Sequence, residues 1–220
     1  MNKIDKFIIR DCALVVLATG KRAQNLRELR DFLHDVSREC IYYHFWSGLL
    51  RPRFQDPEYH NDFSVWAAHS LHDKELAEKL AIINPTDFSD LDDLRNEVID
   101  ILEEALDNVE YPPWVKSDAQ FEFVKSQIVV FNTNRTANNP EELKDQIAEM
   151  SAGSIFFHFI DAQRRNENSA DDFSNWLVNF GDEYQQLIRQ IDEIDPYFAP
   201  LTKLRTELSK VFENYFNTVY

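Results

Sequence analysis

The feature of this chain that most constrains its fold is an internal repeat. Residues 7–46 recur without a gap as residues 121–160, so that identical positions such as Phe45 and Phe159 stand 114 residues apart. After a connecting loop the separation falls to 110, and residues 62–66 match residues 172–176 at four of five positions. Repeats of this length exclude a solenoid of short repeats and predict two copies of one compact unit.

Each copy opens with a strand-like run and continues as helices. The runs at 7–19 and 121–133 are rich in β-branched and aromatic residues, and apolar residues at helical spacing follow them. A lone strand leaves its backbone hydrogen bonds unmade, so the two runs pair with each other or each folds into a hairpin. The predicted fold is α+β and mostly α. It comprises two tandem copies of a strand-plus-helices unit, related by a pseudo-twofold axis, whose strands pair in a small central sheet.

The repeat also predicts the domain boundaries. The first repeat covers residues 1–106 and the second covers residues 121–220. Residues 107–120 form a linker that Pro112 and Pro113 make stiff.

Helix starts are marked by N-cap residues. Asn25 and Asn139 are each followed three residues later by a glutamate, which predicts a helix with a back-reaching acidic side chain. Asp62 and Asp172 stand where N-caps of a later helix in each copy are expected.

The charge balance restricts the expected partners. The chain has a formal charge of −16 and a pI near 4.7, and its basic runs are no longer than short groups such as Arg164-Arg165. Such a surface repels phosphate backbones and anionic membranes, so we expect neither nucleic acid nor a membrane as partner. The acidic excess is typical of solvated helix faces.

The cysteines indicate the compartment. Cys12 and Cys40 correspond to Ser126 and Ser154 in the second copy, which excludes a duplicated disulfide or metal site. They are expected to be free thiols in a reducing environment. The apolar run near the N-terminus is too short for a signal peptide, and no stretch has the length of a membrane span. The sequence therefore predicts a cytoplasmic protein.

Several motifs in fixed order carry a family resemblance. In each copy a strand precedes an Asn-x-x-Glu-Leu helix start, an aromatic segment at 40–45 or 154–159, an Asp-Phe-Ser-x-Trp segment, and a closing Leu-x-x-Leu-Arg helix. This order resembles a prokaryotic family, domain of unknown function five-seven-five-two, over nearly the whole chain. The resemblance implies a tandem helical repeat protein. It implies no catalytic residue, cofactor or substrate.

The histidines of the aromatic helices are the sharpest site candidates. His44 and His158 lie on apolar helix faces, where a neutral ring must find partners for both nitrogens. The nearest polar residues that recur in both copies include Asp62 and Asp172, which predicts a His–Asp contact in each copy. Such a pair is either an interior latch between helices or an acid/base pair of an enzyme. Residues retained in both copies favour the latch.

Aromatic residues give the candidate ligand-binding positions. Trp66 and Trp176, with Tyr42 and Tyr43, present flat faces that stack on rings or sugars, although repeated aromatics at helical spacing more often form core. The loop 51–60, which is longer in the first copy, adds polar candidates: Arg51, Arg53, Tyr59 and His60.

No metal or cofactor is predicted. His69 and His72 have a spacing that chelates a metal when both share a helix face, but isolated surface histidines are commoner. The four glycines form no phosphate-binding loop.

Two functions remain open. The first is a non-catalytic module that binds a protein or small molecule in the groove between the repeats. The alternative is a hydrolase or transferase that uses a His–Asp pair as acid and base. Exposed aromatic surface would also permit a homodimer.

Overall fold

Two long strands and a series of helices make up the structure. The computed structural model describes residues 4–50, 58–107 and 116–219. Within these residues the protein is α+β and mostly helical, with a single sheet of two strands, β1 (Phe7–Ala23) and β2 (Phe121–Ala137). No helix in this described part is long and apolar enough to cross a membrane.

β1 and β2 run antiparallel. The Thr19 hydroxyl donates to the Phe123 carbonyl at 2.6 Å, and the Thr133 hydroxyl donates to the Ile9 carbonyl. Numbering therefore rises along one strand as it falls along the other. Of the two pairings that the sequence leaves open, the structure has the one between the copies. Both strands begin where predicted and extend four residues further, through Ala23 and Ala137.

Helices α1 to α5 connect the two strands. They are α1 (Leu26–Asp35), α2 (Arg38–Leu50), α3 (Asp62–His69), α4 (Lys74–Ala81) and α5 (Leu91–Asp107), with a 3₁₀ turn at Pro85–Asp87. α2 is buried around its whole circumference from Cys40 to Gly48, as expected of a helix that is apolar on every side.

The helices after β2 follow a similar order. They are α6 (Pro140–Ile147), α7 (Ala152–Ile155), a π-helix (Phe156–Asp161), α8 (Ala162–Arg165), α9 (Asp172–Leu177), α10 (Gln185–Asp192) and α11 (Leu201–Val219), with 3₁₀ turns at Val178–Phe180 and Asp182–Tyr184. The segment that corresponds to α2 is one continuous helical stretch made of α7, the π-helix and α8. Its middle part has the wider turns of a π-helix.

Compact units in space combine parts of both sequence copies. The continuous unit consists of described residues from Leu14 to Gln127, and the composite unit of residues up to Ala13 with those from Ile128 onward. The first part of β1 thus belongs with the helices that follow β2. The repeat boundaries at 1–106 and 121–220 stay a prediction, and residues 108–115 of the linker lie outside the described part.

The predicted caps of α1 and α6 are confirmed. Asn25 accepts from the Glu28 amide at 2.9 Å and Asn139 from the Glu142 amide at 2.8 Å. Each glutamate carboxylate reaches back and accepts from the backbone amide one residue before the cap, at Gln24 or Asn138, and also from the side-chain amide of the cap asparagine. One free amide donor of the first turn therefore has a partner in each helix, and the glutamate fixes the backbone that leads into the cap.

The predicted N-caps of α3 and α9 are wrong by one residue. The caps are Asn61 and Asp171, whose side chains accept from the amides of Ser64 and Ser174. Asp62 and Asp172 are instead the first helical residues, because the buried preceding residue is the one whose side chain reaches the free amides. Their carboxylates are consequently available to other partners.

Candidate functional site

His158 connects three segments of the composite unit. Its ring lies in the π-helix and is buried. Nδ1 lies 2.8 Å from Oδ2 of Asp172, and the backbone N–H of Arg10 donates to Nε2 at 2.9 Å. One ring therefore joins the π-helix to the start of α9 and to β1.

His44 makes the same connections in the continuous unit. Nδ1 lies 2.9 Å from Oδ2 of Asp62, and the Val124 N–H donates to Nε2 at 3.3 Å. The ring joins α2 to the start of α3 and to β2. Both His–Asp contacts predicted from the sequence are present, and the strand amides are partners that the sequence did not indicate.

The two hydrogen bonds fix the protonation of each ring. A backbone N–H is a donor only, so Nε2 must be the unprotonated nitrogen in both histidines. Nδ1 then carries the proton and donates to the carboxylate, which leaves a neutral imidazole. Neither nitrogen is left over for proton transfer to a substrate in this arrangement.

Aromatic rings from the strands enclose each histidine. Phe7 of β1 lies 4.9 Å from the ring of His158, is stacked on Phe173 at 5.4 Å, and contacts Trp176 at 5.5 Å between centroids. Burial in this apolar cluster makes the two hydrogen bonds of the imidazole costly to lose.

Phe121 of β2 has the corresponding position in the continuous unit. Its ring lies 4.7 Å from His44, stacks on Phe63 at 5.1 Å, and meets Trp66 edge-on at 5.8 Å. Two phenylalanines and a tryptophan therefore form the same cluster at each histidine.

The predicted aromatic ligand-binding residues are all buried. The indole N–H of Trp66 donates to the Ala119 carbonyl and that of Trp176 to the Asp5 carbonyl, each at 2.7 Å. These bonds anchor the backbone that leads into each strand. The remaining aromatic candidates, also buried, are Tyr42, Tyr43 and Tyr59. Their part in ligand binding stays a prediction.

Only part of the predicted loop site is described. Arg51 and Arg53 lie outside the described residues. Of the rest, His60 is half-buried and Tyr59 packs edge-on against His69, with centroids 6.1 Å apart. The other histidine of the possible chelating pair, His72, has Nε2 2.6 Å from Oδ2 of Asp118.

No metal site is found in the described part of the chain. Across residues 4–50, 58–107 and 116–219, no group of three or more His, Cys, Asp and Glu side chains is placed to hold an ion. Both cysteines are free and buried.

The carboxylate of Asp172 has several hydrogen-bond partners. Besides His158, it accepts from Arg165 at 3.0 Å and from Asn166 at 3.1 Å. Burial raises the pKa of Asp172, but the hydrogen bonds from His158, Asn166 and Arg165 outweigh burial and lower the pKa below its ordinary value. The carboxylate is thus held in its charged form.

Asp161 is a buried carboxylate that the sequence did not single out. It is 1% exposed and accepts from Arg164 at 2.9 Å and from Arg165 at 2.8 Å. The guanidinium of Arg165 also lies 4.0 Å from the centroid of the Phe157 ring. The equivalent position in α2, Ser47, carries no carboxylate.

Asp171 is a second buried acid without a charged counterpart in the first half. Desolvation by burial raises the pKa of Asp171 to about 6, against the lowering effect of its hydrogen bonds from Ser174. The matching N-cap, Asn61, is an amide that donates to the Leu80 carbonyl at 2.9 Å. The difference between Asp171 and Asn61 at equivalent positions is the sequence signal that could have identified this buried acid.

The chain resembles known proteins over nearly its whole length. A model described as a family of unknown function, DUF5752, matches residues 4–213. The chain belongs to this family. Family membership confirms the resemblance drawn from the ordered motifs.

A solved structure shares the fold. OrfY from Thermoproteus tenax superposes with a TM-score of 0.82 at 25% identity, over 97% of this chain and 96% of the OrfY chain. No match was found among curated proteins.

Proposed function

We propose that this protein is a non-catalytic module that binds an extended segment of a partner protein along the outer edge of β2. The observation that carries the proposal is the exposed apolar run Val129, Val130 and Phe131, of which Phe131 is 49% exposed. Exposed apolar strand residues are a liability in a soluble protein unless a partner covers them.

The edge of β2 has the geometry for strand addition. In the described sheet β2 has β1 as its strand neighbour on one side only. The Val124 amide points away from β1, toward His44, so the amides of Ile128, Val130 and Asn132 also point outward by the two-residue period of a strand. An added strand would satisfy these amides.

The charges beside this run favour an acidic partner segment. Residues 126–134 carry no charge, while Lys125 and Arg135 flank them. The protein as a whole is strongly acidic, with a net charge of −16, so two basic residues without an acid between them set this stretch apart. A segment with apolar residues in its centre and acidic residues at its ends is therefore the occupant of best electrostatic match.

A peptide selection tests the proposed function. We expect display of random extended peptides to enrich sequences with an apolar centre and acidic ends. Val130→Pro should abolish their binding, because it removes the outward amide without touching the bonds to β1. Val16→Lys, on the other strand, is the matched control and should bind normally. No enrichment, or binding that survives in the Val130→Pro protein, would disprove the proposal.

We also infer that the two halves are tandem copies of one unit. The support is a set of equivalent contacts: the two histidines bond a strand amide and a carboxylate, and the two tryptophans bond a carbonyl before a strand. Likewise Arg95 donates to the Val36 carbonyl and Arg205 to the Met150 carbonyl, each at 2.9 Å. The pseudo-twofold axis and the cytoplasmic location stay predictions.

The enzymatic alternative has weaker support. A hydrolase or transferase that uses His158 with Asp172, or His44 with Asp62, needs an Nε2 that can accept a proton from a substrate. That nitrogen accepts a strand amide in both units. Catalysis would therefore require the strand to detach from the histidine first.

A further inference from the structure

The start of α9 and the end of α10 carry acids where the equivalent helices of the continuous unit have neutral residues. We propose that a proton on the side chain of Asp171 controls the contact between these two helices, through a hydrogen bond to the carbonyl of Ile191. The contact lies within the composite unit. The inference is independent of partner binding at β2.

The equivalent contact in the continuous unit is made by an asparagine. Asn61 is 1% exposed, its Oδ1 accepts from the Ser64 amide at 2.9 Å, and its Nδ2 donates to the Leu80 carbonyl at 2.9 Å. One side chain thus caps α3 and holds the last turn of α4. A side-chain amide makes both bonds at any pH, because it has an acceptor and a donor.

Asp171 keeps the first of these bonds. It is 2% exposed, and its Oδ1 accepts from the Ser174 amide at 2.9 Å. The second oxygen corresponds to Nδ2 of Asn61. An ionised carboxylate has no donor for that position, whereas a protonated one carries an O–H.

The acceptor for this O–H is identified by the spacing of α10. The buried residues Leu187 and Ile191 of α10 have the spacing of Leu76 and Leu80 in α4. Leu80 and Ile191 are also the penultimate residues of their helices. The carbonyl that corresponds to the acceptor in α4 is therefore that of Ile191.

A second acid lies at the same contact. α10 ends at Asp192, where α4 ends at Ala81. The negative charge of Asp192 is a further cause that raises the pKa of Asp171, because two nearby carboxylates repel each other. Both differences between the halves at this contact therefore replace a neutral residue with an acid.

The cations near the start of α9 are bound to the next residue. The π-helix supplies His158 and α8 supplies Arg165, and both contact the carboxylate of Asp172. Among the described residues, no cationic side chain forms an ion pair or a hydrogen bond with Asp171. The amides of Ser174 and Phe173 lower its pKa, but burial outweighs them.

The direction of the pH response follows from these groups. The pKa of Asp171 is raised from 3.8 to about 6, so the folded protein binds the proton more tightly than the unfolded chain does. The bond to Ile191 is therefore formed in acid and is lost as the pH rises through about 6. Above this pH the buried carboxylate faces a carbonyl oxygen, and the last turn of α10 loses its contact with α9.

Carbonyl carbon NMR on the full chain tests the bond directly. Between about pH 4 and about pH 8, we expect the carbonyl signal of Ile191 to shift in one step with a midpoint of about 6, together with the carboxyl signal of Asp171. The carbonyl signal of Leu80 is the control within the same chain and should not move in this range, because Asn61 does not titrate.

Hydrogen exchange measures the effect on the helix. After correction for intrinsic rates, amides of residues 185–192 should exchange about tenfold faster at about pH 7.5 than at about pH 5, because the open state binds the proton less tightly. Asp171→Asn should remove both this difference and the step at Ile191, since the amide donates at every pH. Asp192→Asn is the matched control and should keep the step, at a lower midpoint.

Three outcomes would overturn the proposal. The first is an Ile191 carbonyl signal that does not change near pH 6 in the natural chain. The second is a step that persists in Asp171→Asn. The third is a step that disappears in Asp192→Asn, which would assign the titration to Asp192 instead.

Discussion

His158 and His44 each hold a strand edge, a central helix and the first turn of another helix through one imidazole ring. At the scale of residues, this arrangement explains how a buried polar ring is tolerated in an aromatic cluster, since both nitrogens have a partner. The proton on Nδ1 and the lone pair on Nε2 are both in use. A structural role therefore requires no further ligand.

Alanine at either histidine should destabilise the protein. We expect His158→Ala and His44→Ala each to lower the free energy of unfolding by about 2–4 kcal/mol, because a half-buried carboxylate and a strand amide lose their partner and a cavity opens. Urea unfolding measures the change. His34→Ala, at an exposed position of α1, is the control and should have little effect. A catalytic histidine would instead leave stability unchanged or higher on replacement.

Asp171 gives the protein a pH-dependent stability of unusual sign. Its pKa in the folded protein is raised from 3.8 to about 6 by burial. The folded state then binds the proton more tightly than the unfolded state. The stabilisation is complete below pH 3.8 and is lost as the pH rises to about 6.

Asp171→Asn should remove this pH dependence. At pH 7 the variant should be more stable than the natural chain by about 2 kcal/mol, because the amide keeps the cap bond without a buried charge. Asn61, the natural cap of α3, shows that an amide fits such a site. Urea midpoints from pH 4 to pH 8 measure the effect. A variant whose stability parallels that of the natural chain across this range would contradict it.

At the scale of elements, the approach of α7 to β1 depends on a single glycine. A Cβ on Gly153 would lie 2.1 Å from Oδ1 of Asp11 and 2.4 Å from the Cys12 carbonyl oxygen. The carbonyl belongs to a strand backbone and cannot turn aside. Position 39, which corresponds to Gly153, is a glutamate, so the first half has no equivalent requirement.

Gly153→Ala should therefore separate the helix from the strand. We expect a loss of about 2–3 kcal/mol in the free energy of unfolding, as for other overpacked contacts. Ala152→Ser, at the exposed neighbouring position, controls for the change in helix start and should be close to neutral. Thermal unfolding of both variants measures the difference. Equal melting temperatures for Gly153→Ala and Ala152→Ser would contradict the prediction, because they would mean that the strand moves to accommodate the added methyl group.

At the scale of the whole molecule, sequence neighbours and spatial neighbours differ. Phe7 packs on residues of the π-helix and α9, about 150 positions later in the chain. The compact units accordingly divide each strand near its middle. Each unit takes its enclosing phenylalanine from the strand that precedes the other set of helices.

Phe7→Ala should loosen helices that are distant in sequence. We expect hydrogen exchange to accelerate in residues 156–177, because Phe→Ala in a core costs about 3–5 kcal/mol and leaves a cavity around His158. Residues 38–50 and 62–69, close to Phe7 in sequence, should exchange as before. Ile8→Ala, at the exposed next position, is the control. Faster exchange confined to residues 38–69 would contradict the division into units.

Local patterns of the sequence determined much of this structure. The strand starts, the caps at Asn25 and Asn139, the helix order and the His–Asp contacts follow from β-branched runs, capping side chains and helical spacing, which act over a few residues. The repeat added the equivalence of His44 and His158. These features required no knowledge of long-range contacts.

Tertiary structure alone decided the rest. The register of β1 against β2, the amides of Arg10 and Val124 that bond the histidines, and the clash that requires Gly153 all join positions more than 75 residues apart. The shift of the cap from Asp62 to Asn61 likewise depended on which side chain became buried. No local pattern encodes such contacts, because strand pairing and burial are settled by the free energy of the folded chain as a whole.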